Sequence, residues 1–254
     1  MEILQIVFSP TGGTQKVADL LAEEWGHTVC RVDLADPGLD AREAISLPEA
    51  DLALIAVPSY AGRVPALATE RLGHIRADGM KCALVCVYGN RAYEDTLVEL
   101  QDRANVCGFA VTAAVAAIAE HSIMHRYAAG RPDAEDRKEL KGIAQKIKEK
   151  LACGEEMSVS VPGNRPYKEA KAASMVPAAG EACTGCGLCA EKCPVRAISK
   201  EHPDQTDETR CISCMKCVAV CPQKARKADS EKVAGLAARL KEICSVRKGN
   251  ELFI

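Results

Sequence analysis

Along residues 1–155, short and almost wholly apolar runs alternate with longer stretches that repeat their apolar positions every three or four residues. Residues 3–8, 52–57, 82–88 and 109–118 form the first kind, and the more mixed residues 28–34 read as a further strand. Residues 14–25, a stretch from about Pro65, residues 96–107 and residues 133–151 form the second, with Val17, Leu20 and Leu21 on one helix face and Leu140, Ile143, Ile147 and Leu151 on another. Runs of four to eight apolar residues predict buried strands, and helical spacing predicts amphipathic helices. Pro65 suits a first helical turn. Strands without polar alternation belong to a parallel sheet covered on both faces. Five strands alternating with four helices predict an α/β, doubly wound, five-stranded parallel sheet in the order 2-1-3-4-5.

The pattern then changes. Residues 154–182 are rich in proline, glycine and alanine and carry no long apolar face. They read as a boundary with an ordered stretch near 159–167. Residues 230–243 return to helical spacing, with Val233, Leu236, Leu240 and Ile243 expected on one side. The final Leu252, Phe253 and Ile254 either dock onto the body, dock onto a second chain in a homodimer, or fray. The expected division is 1–155, a linker 156–177, a small domain 178–227, and a helix with tail 228–254.

A fifteen-residue pattern occurs twice in the small domain, as CTGCGLCAEKCPVRA from Cys183 and CISCMKCVAVCPQKA from Cys211. Each copy reads C-x2-C-x2-C-x3-C-P. Three thiolates on one tight loop suit three irons of a cuboidal cluster, and the fourth lies where the chain has turned away. Paired zinc sites are the alternative, but zinc takes four ligands, typically as two separated pairs. The two runs resemble clostridial-type ferredoxins that carry two [4Fe-4S] clusters, over about residues 178–227. In that pattern the fourth cysteine of each half ligates the other half's cluster. The resemblance implies one α+β module with Cys183, Cys186, Cys189 and Cys221 on one cluster, and Cys211, Cys214, Cys217 and Cys193 on the other. Lys192 and Lys216 inside the runs depart from the acidic character usual in that group.

In a doubly wound sheet, ligands sit beyond the carboxyl ends of the strands at the switch point. The loop there reads Ser9-Pro10-Thr11-Gly12-Gly13-Thr14. Hydroxyls, glycines and the first amides of a helix suit a phosphate monoester. No Gly-Lys-Ser/Thr closes the loop and no G-x-G-x-x-G is present, so neither the ATP loop nor the dinucleotide fingerprint applies. The loop resembles the phosphate loop of flavodoxins, which implies FMN held by Ser9, Thr11, Gly12, Gly13 and Thr14. Two further loops belong at the same edge, VPSYAGRVP and VYGNRAYED. In flavodoxin-like proteins these flank the isoalloxazine ring, which implies contacts from Ser59, Tyr60, Gly62, Gly89, Asn90 and Tyr93; the alternative is two polar turns whose tyrosines pack locally. His121 and His125 follow the fifth strand near the same edge and read as ordinary loop histidines, contact with flavin or substrate being the alternative.

The net charge of −2 gives no electrostatic case for nucleic acid or anionic lipid. Eight of the fourteen cysteines fall in the two runs, and Cys82 and Cys86 stand in an apolar run that buries them. Free thiols and oxygen-sensitive clusters point to a reducing, cytoplasmic setting. No basic export signal is visible, and residues 109–119 are too short to span a bilayer, which takes about 20 residues. Over nearly its full length the chain resembles flavodoxin–ferredoxin fusion proteins. That implies an electron-transfer protein passing single electrons between FMN and two [4Fe-4S] clusters, with redox proteins as partners. The alternatives are a flavin-dependent reductase acting on a small acceptor, with the clusters as its electron inlet, and an iron–sulfur redox sensor.

Overall fold

The computed structural model describes residues 1–41, 44–153, 158–170 and 174–254. The expected boundary at residue 155 and residues 156–157 and 171–173 of the expected linker lie outside them. The first domain runs β1 (Glu2–Val7), α1 (Gly13–Trp25), β2 (His27–Asp33), β3 (Leu52–Pro58), α2 (Ala66–Leu72), β4 (Lys81–Tyr88), α3 (Thr96–Val106), β5 (Ala110–Ile118) and α4 (Ala134–Cys153). The small domain holds β6 (Ala178–Ala179), α5 (Leu188–Glu191), α6 (Lys216–Ala219) and β7 (Arg226–Lys227). The chain ends with α7 (Ser230–Ser245) and β8 (Glu251–Phe253).

The sheet order is β2-β1-β3-β4-β5-β8, and the first five strands are parallel in the expected order. The strand count is corrected from five to six, because β8 pairs antiparallel with β5, setting Leu252 opposite Val115. β2 alternates exposed and half-buried residues because it is the opposite edge.

Alternation along the strands splits the core into two layers. Leu4, Ile6, Ile55, Leu84 and Ala116 face α2 and α3, packing with Leu72, Leu97 and Leu100. Ile3, Leu54, Val85 and Val115 face α1 and α4, packing with Leu21, Trp25, Leu140 and Ile147. Gln5 is buried on that second face and is satisfied by Asp19, Thr28 and Gln15. Cys82 and Cys86 are buried as expected.

Helix α7 starts at Asp229, whose carboxylate accepts from the Glu231 and Lys232 amides at 2.9 and 3.0 Å. It packs on Met124 and Tyr127 of the segment after β5. The expected apolar stripe holds for Val233, Leu236 and Leu240, but not for Ile243, which is exposed. Ala237 and Cys244 complete the buried face instead, where α7 packs on Met124 and Tyr127.

Residues 158–170 lie against the first domain. Val159 joins its core. Asp95 accepts from the Asn164 and Lys168 amides at 2.8 Å each, and Asp102 takes a paired contact from Arg165 at 2.8 and 2.6 Å. Among the described residues no helix is long and apolar enough to cross a membrane.

Candidate functional site

The small domain is a backbone repeat as well as a sequence repeat. Positive φ angles recur at Gly185 and Ser213, at Gly187 and Met215, and at Arg196 and Lys224, the same places in each run. The amide four residues after each run's last cysteine donates to that cysteine's sulfur: Ala197 to Cys193 at 3.2 Å and Ala225 to Cys221 at 3.3 Å. Strands β6 and β7 pair antiparallel and close the module.

These turns gather the eight expected cysteines around two cavities of about 310 and 330 Å3, counting their openings to solvent. Cys193, Cys211, Cys214 and Cys217 line the first, with Ile198, Ile212 and Met215. Cys183, Cys186, Cys189 and Cys221 line the second, with Leu188, Pro203 and Arg226. Each cavity therefore takes three thiols from one run and the fourth from the other. All fourteen cysteines are free thiols. Among the described residues no three Cys, His, Asp or Glu side chains converge closely enough to hold a single metal ion.

Burial sets the protonation of several of these thiols. Burial, with the charges of Cys193, Cys217 and Cys211 added, pushes the Cys214 thiol up to about 12. Such thiols ionise readily only when positive charge arrives with a metal. Cys221 shifts the other way from Cys214: burial works against its thiolate, but the amides of Ala225, Arg226, Gln223 and Lys224 outweigh it and hold the pKa below that of a free thiol.

The loops expected to hold a flavin meet at one sheet edge, after the adjacent strands β1, β3 and β4. In the first loop the Ser9 hydroxyl accepts from the Gln15 amide at 2.9 Å, and the Lys16 amide bonds Gly12 O at 3.0 Å. Among the described residues the Gly13 and Thr14 amides at the start of α1 have no acceptor, as the first turn of a helix requires. Thr14 is buried beside them and Thr11 is exposed. Space for a phosphate exists at Gly12, where an added Cβ would meet nothing within 4 Å. Its φ of +89° is nevertheless one that side chains resist. This donor set fits a phosphate.

In the second loop, Tyr60 and Arg63 exchange backbone bonds at 2.9 and 3.1 Å around Ala61 and Gly62, whose φ values of 52° and 87° make a two-residue turn. The Ser59 hydroxyl meets that of Thr96 at 2.7 Å. The Tyr60 ring stands edge-on to Phe8, 6.4 Å between centroids. Burial, and then the charge of Cys214, pushes the Tyr60 phenol well above its ordinary value. Arg63 reaches away, pairing with Glu99 at 2.7 Å and lying 5.0 Å over the Tyr167 ring.

The third loop has other partners. The Asn90 side chain is buried and donates to Cys244 O and Val246 O at 2.7 and 2.8 Å, while its oxygen accepts from the Lys248 amide. Tyr93 stacks edge-on to Tyr88, 5.2 Å apart, and bonds Glu251 at 3.1 Å. The His121 ring lies against Gly89, 2.7 Å from where a Cβ would stand. Burial lowers that imidazole's pKa to about 4, and its Nδ1 accepts from the Ile123 and Met124 amides. Nothing in the local sequence announces the tail residues that engage this loop.

Residues 182–226 match the family model described as a 4Fe-4S dicluster domain. A 44-residue segment is 46% identical to a subunit of the ion-translocating oxidoreductase complex of Methanosarcina acetivorans, covering 17% of this chain and 17% of that protein. The chain thus spans about a sixth of that relative's length. Among solved structures, the chain is similar to oxidised flavodoxin 1 of Bacillus cereus at 16% identity, with a TM-score of 0.41, over 59% of this chain and 98% of that one. It is similar to an archaeal flavodoxin at 15% identity and a TM-score of 0.40, over 60% and 99% of the two chains. It is also similar to rubredoxin:oxygen oxidoreductase of Desulfovibrio gigas at 19% identity and a TM-score of 0.43, over 60% and 36%.

Proposed function

We propose that this chain is an electron carrier that moves single electrons between two [4Fe-4S] clusters and FMN. The observation that carries the reading is the division of eight cysteines into two cavities of four, each mixing both runs, beside a sheet whose edge loops suit a flavin phosphate. When bound, a cluster exchanges one electron and a flavin one or two, and the protein supplies position and electrostatics.

The residues of the first cavity face the flavodoxin-like domain. Ile212, next to Cys211, packs against that domain's core. Pro194 O, next to Cys193, accepts from the buried Arg71 at 2.9 Å, and Arg71 also donates to Leu34 O at 2.6 Å. Arg196 donates to Pro37 O at 2.9 Å. Tyr60 of the flavin-side loop lies near enough to feel the charge of Cys214. In the second cavity Cys186 is exposed. Cys183, Cys186, Cys189 and Cys221 would hold the cluster open to an outside partner, and Cys193, Cys211, Cys214 and Cys217 would hold the one on the side of Tyr60 and the flavin-side loop.

Purified without oxygen, the protein is expected to carry about eight irons, about eight sulfides and one FMN, since each run supplies one cluster. In rapid mixing with a low-potential one-electron donor, the clusters should bleach first and the flavin should follow at a rate independent of protein concentration. A flavin that stays oxidised in the fully loaded protein, or that follows only in proportion to protein concentration, sinks the relay. Zinc in place of iron and sulfide sinks the cofactor reading itself.

The phosphate loop gives a separate test. Thr14→Ala removes a hydroxyl from the expected phosphate, and a hydrogen bond to a charged group contributes about 1.5–3 kcal/mol, or roughly ten- to a hundredfold in affinity. Gly12→Val places a branched side chain at positive φ, at a cost of about 1–3 kcal/mol. Both should weaken FMN binding in a fluorescence titration and leave iron content unchanged. Riboflavin should bind wild type far more weakly than FMN and should not distinguish Thr14→Ala from wild type. Equal affinities for the two flavins would take this loop out of the site.

A further inference from the structure

Arg226 stands fifteen residues after Cys211, the place that Ile198 holds after Cys183. Ile198 is buried in the small apolar cluster with Cys189, Ala190 and Cys217, as symmetry of the repeat requires. Its counterpart is a guanidinium that is only 2% exposed. Replacing an apolar core residue by a charge is costly unless something compensates it. The protein compensates only in part. One terminal nitrogen donates to Pro203 O at 2.9 Å and the other to the Thr206 hydroxyl. The buried Nε has no hydrogen bond of ordinary geometry among the described residues, although the guanidinium lies close enough to the Cys217 thiol to favour its thiolate.

The surroundings show where the missing counter-charge belongs. Arg226 lines the cavity of Cys183, Cys186, Cys189 and Cys221. Its charge also bears on Cys217 and Cys211 of the other cavity, as well as on Cys189. It therefore sits between the two thiol sets. Four thiolates around a cluster bring excess negative charge, and each added electron increases it. A buried cation between the sites favours the more negative, reduced form, because low dielectric leaves the interaction unscreened.

We infer that Arg226 sets the reduction potentials of the pair: its buried, partly unpartnered guanidinium between the two cysteine cavities makes reduction easier than the apolar residue of the first repeat would. This inference rests on the two-cluster reading. The residue transfers no electron and forms no bond to iron. It acts on the cluster sites through its charge alone.

The test is potentiometric titration of the anaerobic full-length protein, followed by the EPR of the reduced clusters and by visible absorption. Arg226→Met should keep full iron and sulfide. Its reduced-to-oxidised ratio at a fixed ambient potential should fall at least tenfold for at least one cluster, a downward shift of about 59 mV for one electron. Arg226→Lys, which keeps the charge, should fall by less than threefold. Arg226→Gln keeps a polar donor without charge, so it should behave as Met does and decides the matter if the Met variant assembles poorly. Fully loaded neutral variants with wild-type ratios, or a Lys variant shifted as far as Met, overturn the inference while leaving the two-cluster reading intact. Wild-type protein without acid-labile sulfide would instead remove that reading.

Discussion

Serine at Cys221 is expected to cost the protein about four irons, and serine at Cys183 about the same four, because both thiols line one cavity. The informative variants are the doubles. Cys183→Ser with Cys221→Ser should still retain about four irons, since both changes strike one site. Cys183→Ser with Cys193→Ser should retain almost none, since Cys193 lines the other cavity. If each run instead held its own cluster, the outcomes would reverse: the first double would lose everything and the second would spare one cluster. Iron and sulfide analysis of the four proteins separates the two ligation schemes without any assay of turnover. Each retained site should also keep its reduced EPR signal. The amide bonds to Cys193 and Cys221 sulfur come from Ala197 and Ala225 in each residue's own run, so either fourth ligand can be lost without undoing the turns that hold the other run's first three.

The second large effect concerns stability. Arg131→Met is expected to destabilise the first domain by up to about 3–5 kcal/mol, the usual cost of removing one partner of a buried ion pair, because the half-exposed Arg247, 3.6 Å from Asp136, compensates that carboxylate only in part. Asp136 is fully buried and Arg131 nearly so, and Arg131 Nε meets Asp136 Oδ2 at 2.8 Å with a second contact beside it. The carboxylate also accepts from the Asp133 amide at 2.9 Å and from the Asn250 amide group at 3.1 Å. The pair thus joins the segment after β5, the start of α4 and the tail. A loss of this size is a large part of a typical domain's roughly 5–15 kcal/mol. Trp25, the only tryptophan, is buried against α4 with its Nε1 on Ala144 O at 2.9 Å, so its fluorescence in a urea titration reports the loss. Burial pushes the Asp136 carboxyl up, but Arg131, the Asp133 amide and Asn250 outweigh it, and its pKa lies below the ordinary 3.8. A depressed folded pKa contributes stability that is present above the unfolded value and lost as pH falls through the folded one. The gap between wild type and variant should therefore narrow in acid below about pH 3.8. A gap that is constant from neutral pH to about pH 2 would assign the effect to packing rather than charge.

The periodicity of the chain was enough to place the five parallel strands and their helices, because burial on two faces writes an unbroken apolar run wherever a central strand passes. The spacing of the eight cysteines was likewise local information, since a ligand loop is specified by residues within a few positions of one another. The loop after β1 was legible for the same reason. What eluded the sequence depends on partners far along the chain. Strand β8 is three residues long, too short to carry a period, and exists because β5 offers an open edge. Asn90 read as a flavin-side residue, yet its amide is taken by backbone carbonyls more than 150 positions later. Ile243 and Cys244 are adjacent and both apolar, and only the angle at which α7 meets Met124 and Tyr127 decided which one is buried. Arg226 appeared in the sequence as one of several charges near the runs. Its burial between two thiol sets follows from the way the repeats pack together, and a repeat's pattern states what each half contains but not what the halves enclose.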